Sequence, residues 1–300
     1  VMGNLRMAFQ NEMSEEEIEK LARRVYQSIG TVFLEIIRNL SLSKEQMREE
    51  MSFEPEDKAR LKKLQAEGKG AIYISCHMAN WELFGMGVAS HDFPTTIVVR
   101  KITGAVSQAL IEDRRQQTGI EIIYPGGALE KMKDAVRRGQ MVGYMIDQHT
   151  PAPRGIRVNF LGTPASCSRG LAKIARETNC LIFPICAFRR TDGKHRIKLL
   201  EPLPYIKAEE LPEGSPERIA KEEWLNVQQY QAAIEKLVRM HPEQWLWIHR
   251  RWKADKTPLD KEKSYLENIK VLIYCVIAGN LMDLFPSGPV MTSVVSSFCT

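Results

Sequence analysis

Three hundred residues, 44% hydrophobic and 26% charged, have the make-up of an ordinary folded protein and exclude a disordered chain, which lacks the apolar surface to offset its entropy. No run of about 18 uninterrupted apolar residues occurs, which excludes a polytopic membrane protein. Forty-two Lys and Arg against 37 Asp and Glu give +5, too weak a balance for nucleic-acid binding without a basic patch, and one suited to an anionic surface, an acidic substrate or an acidic carrier.

The N-terminal segment 14–67 reads as helices. Ser14 and Glu17 form an S-x-x-E capping box, in which each side chain satisfies an orphaned N–H at a helix start. Behind it Ile18, Leu21, Ala22, Val25, Ile29, Val32, Phe33, Ile36, Ile37 and Leu40 recur at helical spacing. Ser43 with Gln46 offers a second cap. The charged stretch 56–67 closes on Gly68, a residue suited to a helix C-terminus.

At Ala71 the period changes. AIYIS (71–75), bounded by Gly70, reads as a buried strand. A helix over 80–89 follows, then a strand TTIVVR (95–100), a helix over 105–117 ending near Gly119, a strand over 120–124 and a helix over 127–138 closed by Gly139. MVGYMI (141–146) is another strong strand and ends on Asp147. A helix is expected over 166–178, and then the strand LIFPICAF (181–188), where Pro184 suggests an edge or a bulge. HRIKLL (195–200) adds a strand and 216–240 a long helix. Strands alternating with helices of this length define an α/β core over 70–255, one three-layer domain with a mixed, largely parallel sheet.

Residues 256–300 differ, reading as linker and apolar tail. ADKTPLDKEKS (254–264) is polar, and IKVLIYCVIAGNLMDLF (269–285) is apolar but broken by Lys270, Asn280 and Asp283. As a helix that run would span about 26 Å, short of a ~30 Å bilayer core, so it reads as interfacial or core-packed, with a membrane span as the alternative. The start at Val1 suggests a missing upstream segment. The cysteines at 76, 167, 180, 186, 275 and 299 show no CxxC spacing, which points to free thiols in a reducing compartment and to no metal site.

The segment SCHMANWELFGMG (75–87) carries the chemistry. His77 directly follows a buried strand, where α/β sheets place their ligands. With a helix starting near Asn80, Glu82 falls in the first turn and can reach back to one imidazole nitrogen. A carboxylate there fixes the tautomer and favours the imidazolium, so that His77 can activate a hydroxyl for attack on an acyl group. The alternative is a histidine bonded to backbone at a strand end. Cys76, the adjacent residue, points to the opposite face and reads as core rather than as a nucleophile.

HMANWE (77–82) resembles the H-x4-(D/E) block of the glycerolipid acyltransferase superfamily, and its Glu-Leu-Phe-Gly continuation resembles the lipid A biosynthesis (Kdo-dependent, late) acyltransferases. VVR (98–100) with Arg115 and Gly119, RRGQMVGYMIDQ (137–148), RVNFLGTPASCSRGLAKIARETNCLIFPI (157–185) and PEQWLWIHRRWK (242–253) resemble further blocks of that family, in the same order over residues 1–255. RKITGA (100–105) departs from it, lacking the Pro and Asn found there. The resemblance implies a glycerolipid acyltransferase-like domain over 1–255 with His77 and Glu82 as catalytic dyad. It implies Arg115, Asp147, Arg100 and Arg251 as substrate or oxyanion contacts, and no cofactor beyond an acyl carrier protein or coenzyme A thioester as donor. Physically, Arg115 can offer fixed positive charge, and Asp147, at a strand end beside His77, can position Arg115 or a substrate hydroxyl.

The function implied is acyl transfer from acyl carrier protein to a hydroxyl of a Kdo-bearing lipid A precursor. The place implied is the cytoplasmic face of a Gram-negative inner membrane. Inner-membrane lipids are expected partners and nucleic acid is not. His249, Arg250, Arg251 and Lys253, interleaved with Trp245, Trp247 and Trp252, suit a membrane interface, or equally a packed cluster of rings under a satisfied Arg. Rival functions are acylation of another glycolipid of the phosphatidylinositol mannoside type, thioester hydrolysis, and a non-catalytic membrane scaffold.

Overall fold

The computed structural model of the chain describes residues 1–252 apart from Leu40 and 102–104, so the linker and tail expected after 255 lie outside the described residues. Helices α1 (Met2–Phe9), α2 (Glu15–Asn39), α3 (Lys44–Glu50) and α4 (Pro55–Ala66) form the N-terminal part, with a short strand β1 (Met51–Phe53) between the last two. The Ser14 capping box forms in full: the Glu17 N–H donates to Ser14 Oγ at 3.3 Å and the Ser14 N–H to Glu17 Oε2 at 2.8 Å. Ser43 and Gln46 make the same reciprocal pair at α3, and Gly68 takes φ +63° just past α4.

Along α2 the apolar stripe from Ile18 to Val32 is buried, each large side chain contributing about 1.5–3 kcal/mol. Ile37, expected on the same stripe, is 62% exposed: at ~100° per residue it falls roughly 100° round the helix from Ile18, while its neighbours Glu35 and Asn39 stay buried.

The core alternates as the sequence suggests: β2 (Ala71–Ser75), α5 (Trp81–Ser90), β3 (Thr95–Val98), α6 (Ala105–Gln117), β4 (Glu121–Ile123), α7 (Ala128–Arg137) and β5 (Met141–Met145). Then come strands β6 (Gly155–Phe160) and β7 (Thr163–Ser168), helix α8 (Gly170–Thr178), strands β8 (Leu181–Arg189) and β9 (His195–Leu199), and helix α9 (Pro216–Met240). The main sheet runs β1-β9-β8-β2-β5-β3-β4. Its described neighbours are parallel except the antiparallel pair β8 and β9, a mixed, mostly parallel sheet.

Alternate residues of β2 enter opposite layers. Ala71 and Tyr73 pack with Leu83, Phe84 and Met86 of α5, whereas Ile72, Ile74 and Cys76 pack with residues of α2, α8 and α9. Where α7 crosses the start of β2, a Cβ added to Gly70 would stand 2.0 Å from the Val136 carbonyl oxygen. Any side chain there would force the two segments apart.

Two expectations need correction. Residues 166–168 belong not to a helix but to β7, which pairs with β6 as a hairpin outside the main sheet. Its two-residue turn is Leu161-Gly162, both at positive φ. That geometry favours Asn-Gly or Asp-Gly, so a leucine in the first position hides the turn. Pro184 lies in an internal strand, not at an edge. It marks the point where β8 stops pairing with β2 and begins pairing with β9, so its missing N–H falls at the change of partner.

Candidate active site

The loop after β2 carries His77, and the loop after β5 carries Asp147. Ser75 and Met145 are paired in register at the ends of these strands. Two residues further along each chain the two side chains therefore stand side by side. Asp147 is 3% exposed. Its Oδ1 lies 2.8 Å from His77 Nδ1, while its Oδ2 accepts the His77 backbone N–H at 2.8 Å and the Trp245 Nε1–H at 2.8 Å.

A carboxylate at that distance places the imidazole proton on Nδ1 and leaves Nε2 with its lone pair. The closest polar neighbour of Nε2 is the Gln148 side-chain amide at 3.4 Å, and the ring packs edge-on to Trp81 at 5.6 Å. Burial disfavours the imidazolium of His77, but the Asp147 charge and hydrogen bond, with a smaller push from Glu82, outweigh it and raise its pKa. Burial alone would lift Asp147, yet the same contacts hold it well below the usual carboxylate range.

Asn80 caps α5, its side chain accepting the Leu83 N–H at 2.9 Å, and Glu82 falls in the first turn as expected. Its carboxylate does not reach His77. Both oxygens instead take the Arg115 guanidinium, Nε at 2.9 Å and Nη2 at 3.0 Å. The expected His77–Glu82 hydrogen bond is thus replaced by two separate pairs, His77–Asp147 and Glu82–Arg115, and Asp147 holds His77 and Trp245 rather than Arg115. The strand order, which no local spacing encodes, decides this.

His77, Glu82, Arg115 and the exposed Arg100 line one cavity of about 1260 Å³. It is larger than the several hundred Å³ of an ordinary small-molecule pocket. Arg100, Gln148, Arg154 and Arg169 ring its polar part; Phe84, Val88, Ile97, Met141 and Ile185 line an apolar part between α5 and the sheet. Gly143 of β5 and Gly85 of α5 leave that part open: a Cβ on Gly143 would touch Ile97 Cγ2 at 3.5 Å.

Arg251 is not part of this cavity. It is fully buried, donating from Nη1 to the Ser166 carbonyl at 2.8 Å and from Nη2 to Cys167 Sγ at 2.6 Å and Gln231 Oε1 at 3.0 Å, under the Phe160 ring. The expected substrate contact is a tie between β7 and α9. Two of the tryptophans around it are equally internal. Trp245 and Trp247 are 2% and 0% exposed, with ring centroids 4.6 Å apart, so for these two and Arg251 the packed reading holds, while Trp252 is half-buried and Arg250 exposed.

The segment also fastens the loop that carries His77. The Ala79 N–H, on a residue held at φ +42°, donates to the Gln244 carbonyl at 2.9 Å, and the Leu246 N–H to the His77 carbonyl at 3.0 Å. Trp245, which the sequence leaves open between an interface and a packed cluster, is through its hydrogen bond a positioning residue for Asp147. Its place inside the W-x-W-x-H-R-R run was the available signal. His249, half-buried, accepts the His149 backbone N–H at 3.0 Å, and its pKa is lowered to about 4 by burial. Cys76 is buried in the layer opposite the cavity, and burial raises its thiol pKa well above normal.

Among the described residues no group of His, Cys, Asp or Glu is arranged to hold a metal ion, and no helix is long and apolar enough to cross a membrane.

A carboxylate-held histidine beyond the strand ends, on the wall of a large cavity with an apolar part, is an arrangement that can do general-base chemistry on a partly apolar substrate. The chain belongs to the bacterial lipid A biosynthesis acyltransferase family, whose model matches residues 1–254. It is an acyltransferase of that family. It is 26% identical over 269 residues to a lipid A biosynthesis lauroyltransferase of Escherichia coli, covering 85% of this chain and 78% of the relative. It is 23% identical over 248 residues to a lipid A biosynthesis acyltransferase of Haemophilus influenzae, covering 82% and 72%. A shorter match, 30% over 124 residues and 40% of this chain, is to a phosphatidylinositol mannoside acyltransferase of Mycobacterium tuberculosis.

Proposed function

We propose that the chain moves a fatty acyl group from an acyl carrier protein thioester to a hydroxyl of a Kdo-bearing lipid A precursor, at the cytoplasmic face of a bacterial inner membrane. The observation that carries this reading is that His77 has Nδ1 fixed on Asp147 and Nε2 free of any carboxylate, on the wall of a cavity of about 1260 Å³ with an apolar lining that suits an alkyl chain. The acceptor hydroxyl gives its proton to His77 Nε2 as its oxygen attacks the thioester carbonyl carbon. Asp147 stabilises the resulting imidazolium. Collapse expels the thiolate, which recovers the proton from His77, leaving an ester and a free thiol.

Glu82 acts through Arg115, holding its guanidinium at the cavity wall. The apolar space between α5 and the sheet suits the acyl chain, and the cations at the rim suit an acceptor bearing phosphates and acidic sugars. The +5 balance suits an acidic carrier protein equally. The thioester supplies the driving force, so the reaction as written asks for no cofactor.

The test incubates the purified chain with a radiolabelled acyl carrier protein thioester and either acceptor, followed by thin-layer separation. Label is expected in the lipid A precursor. Label only in phosphatidylinositol mannoside would replace the acceptor, and release of free fatty acid with neither product would make the chain a thioester hydrolase.

A further inference from the structure

We propose that Ser75 is a catalytic residue of this site, its hydroxyl donating to the oxyanion that forms on the thioester carbonyl; the assignment rests on the acyl-transfer reading above. Ser75 is the last residue of β2, 3% exposed, and it lines the same cavity as His77. The alternation of β2 puts it on the α5 side with Ala71 and Tyr73, away from the layer that takes Ile74 and Cys76. Its backbone is fixed, the carbonyl accepting the Ile146 N–H at 3.0 Å, but its Oγ has no hydrogen-bond partner in the protein.

A second buried donor on the cavity wall shares this state. Arg115 spends Nε and Nη2 on Glu82, and its Nη1 has no partner. A buried hydroxyl and a buried guanidinium nitrogen left without acceptors are costly, and groups of this kind persist where function satisfies them. The acceptor that the chemistry creates is the carbonyl oxygen. As the attacking oxygen bonds to the carbonyl carbon, the C=O π pair moves onto the carbonyl oxygen. The Ser75 O–H and Arg115 Nη1 can then donate to it until collapse restores the carbonyl and breaks the C–S bond. Donors idle in the ground state and engaged in the transition state lower the barrier rather than merely tightening binding.

Ser75 as a nucleophile in a Ser-His-Asp triad is the competing role. It would place Oγ on His77 Nε2, whereas the neighbour there is Gln148.

The experiment compares the full chain with Ser75→Ala, Ser75→Thr and His77→Ala, using an acyl carrier protein thioester and the lipid A precursor. Ser75→Ala is expected to lower kcat about 10²-fold while KM for both substrates stays within about twofold. The pH profile should be unmoved and Tm unchanged or higher, because an unsatisfied hydroxyl has been removed. Ser75→Thr, which keeps the hydroxyl, is expected to retain most activity. Wild-type kcat in Ser75→Ala, a rise in KM alone, or an acyl ester on Ser75 in the mass spectrum of quenched protein would each overturn the assignment and leave the acyl-transfer reading standing. Failure of the wild-type chain to transfer, or full transfer by His77→Ala, would remove that reading and the assignment with it.

Discussion

His77 and Asp147, 70 positions apart in the chain, meet at 2.8 Å because each stands two residues beyond a register-paired couple at the ends of neighbouring strands. Burial of the pair is offset by their mutual charge, so His77 is raised and Asp147 lowered. A base with a raised pKa works once it has lost its proton. The wild-type kcat/KM is therefore expected to rise with pH through a midpoint above the ordinary histidine value of about 6.5.

Asp147→Asn removes the charge and leaves burial dominant, so the His77 midpoint should move to lower pH. The plateau should fall by about 10²-fold or more, since the tautomer is no longer enforced. A pH–rate profile measures both. An acidic limb that stays in place would contradict the pairing.

Glu82 and Arg115 form one unit, so their losses should not add. Glu82→Gln and Arg115→Gln are each expected to reduce kcat about 10- to 10²-fold, and the double variant little more than the worse single one. The His77 midpoint should move far less in Glu82→Gln than in Asp147→Asn, because Glu82 is the smaller of the two influences on it. Losses that multiply would mean that the two side chains act separately.

Gly143 keeps the inner part of the cavity open. Gly143→Leu should shift the preferred acyl donor to shorter chains. Each methylene excluded costs about 0.8 kcal/mol of binding, close to fourfold in kcat/KM. Competition between acyl carrier protein thioesters of graded length reads this out, and an unchanged preference would move the acyl chain elsewhere.

Arg251 is a structural tie, and its loss should appear as instability. Arg251→Met leaves the Ser166 carbonyl and Gln231 Oε1 without their donor, a cost of about 1–3 kcal/mol, with KM of the folded fraction unchanged. A raised KM at unchanged Tm would restore a role in substrate binding.

Arg189 ties β8 to α2 by holding both oxygens of Glu35. Burial opposes the Glu35 charge, but His195 and Arg189 hold its pKa at about 2, below its normal 4.5. The stabilisation is therefore present above pH 4.5 and is lost as the pH falls toward 2. Arg189→Met should cost about 3–5 kcal/mol near neutrality and flatten this acid dependence, as denaturant midpoints against pH would report.

Much of the fold was legible because its signals are local. The Ser14–Glu17 cap, the glycines closing α4, α6 and α7, and the apolar runs of β2 and β5 all act within a few residues. The β6–β7 hairpin was not legible, because Leu161 occupies a turn position that usually takes Asn, Asp or Gly. In the site, the position of His77 at a strand end and of Cys76 on the opposite face followed from alternation. Its carboxylate partner did not, since choosing Asp147 over Glu82 requires knowing that β5 lies beside β2. Arg251 was misread, and the tryptophans left undecided, for a related reason: a cation–aromatic cluster has the same composition whether it meets a membrane or closes a core.

The most direct test of the central claim is the mass of the lipid A precursor after incubation with the acyl carrier protein thioester and the wild-type, Asp147→Asn or His77→Ala chain. One added acyl chain is expected with the wild type, a trace with Asp147→Asn and none with His77→Ala. An unmodified precursor with the wild type, or full conversion by His77→Ala, would contradict it.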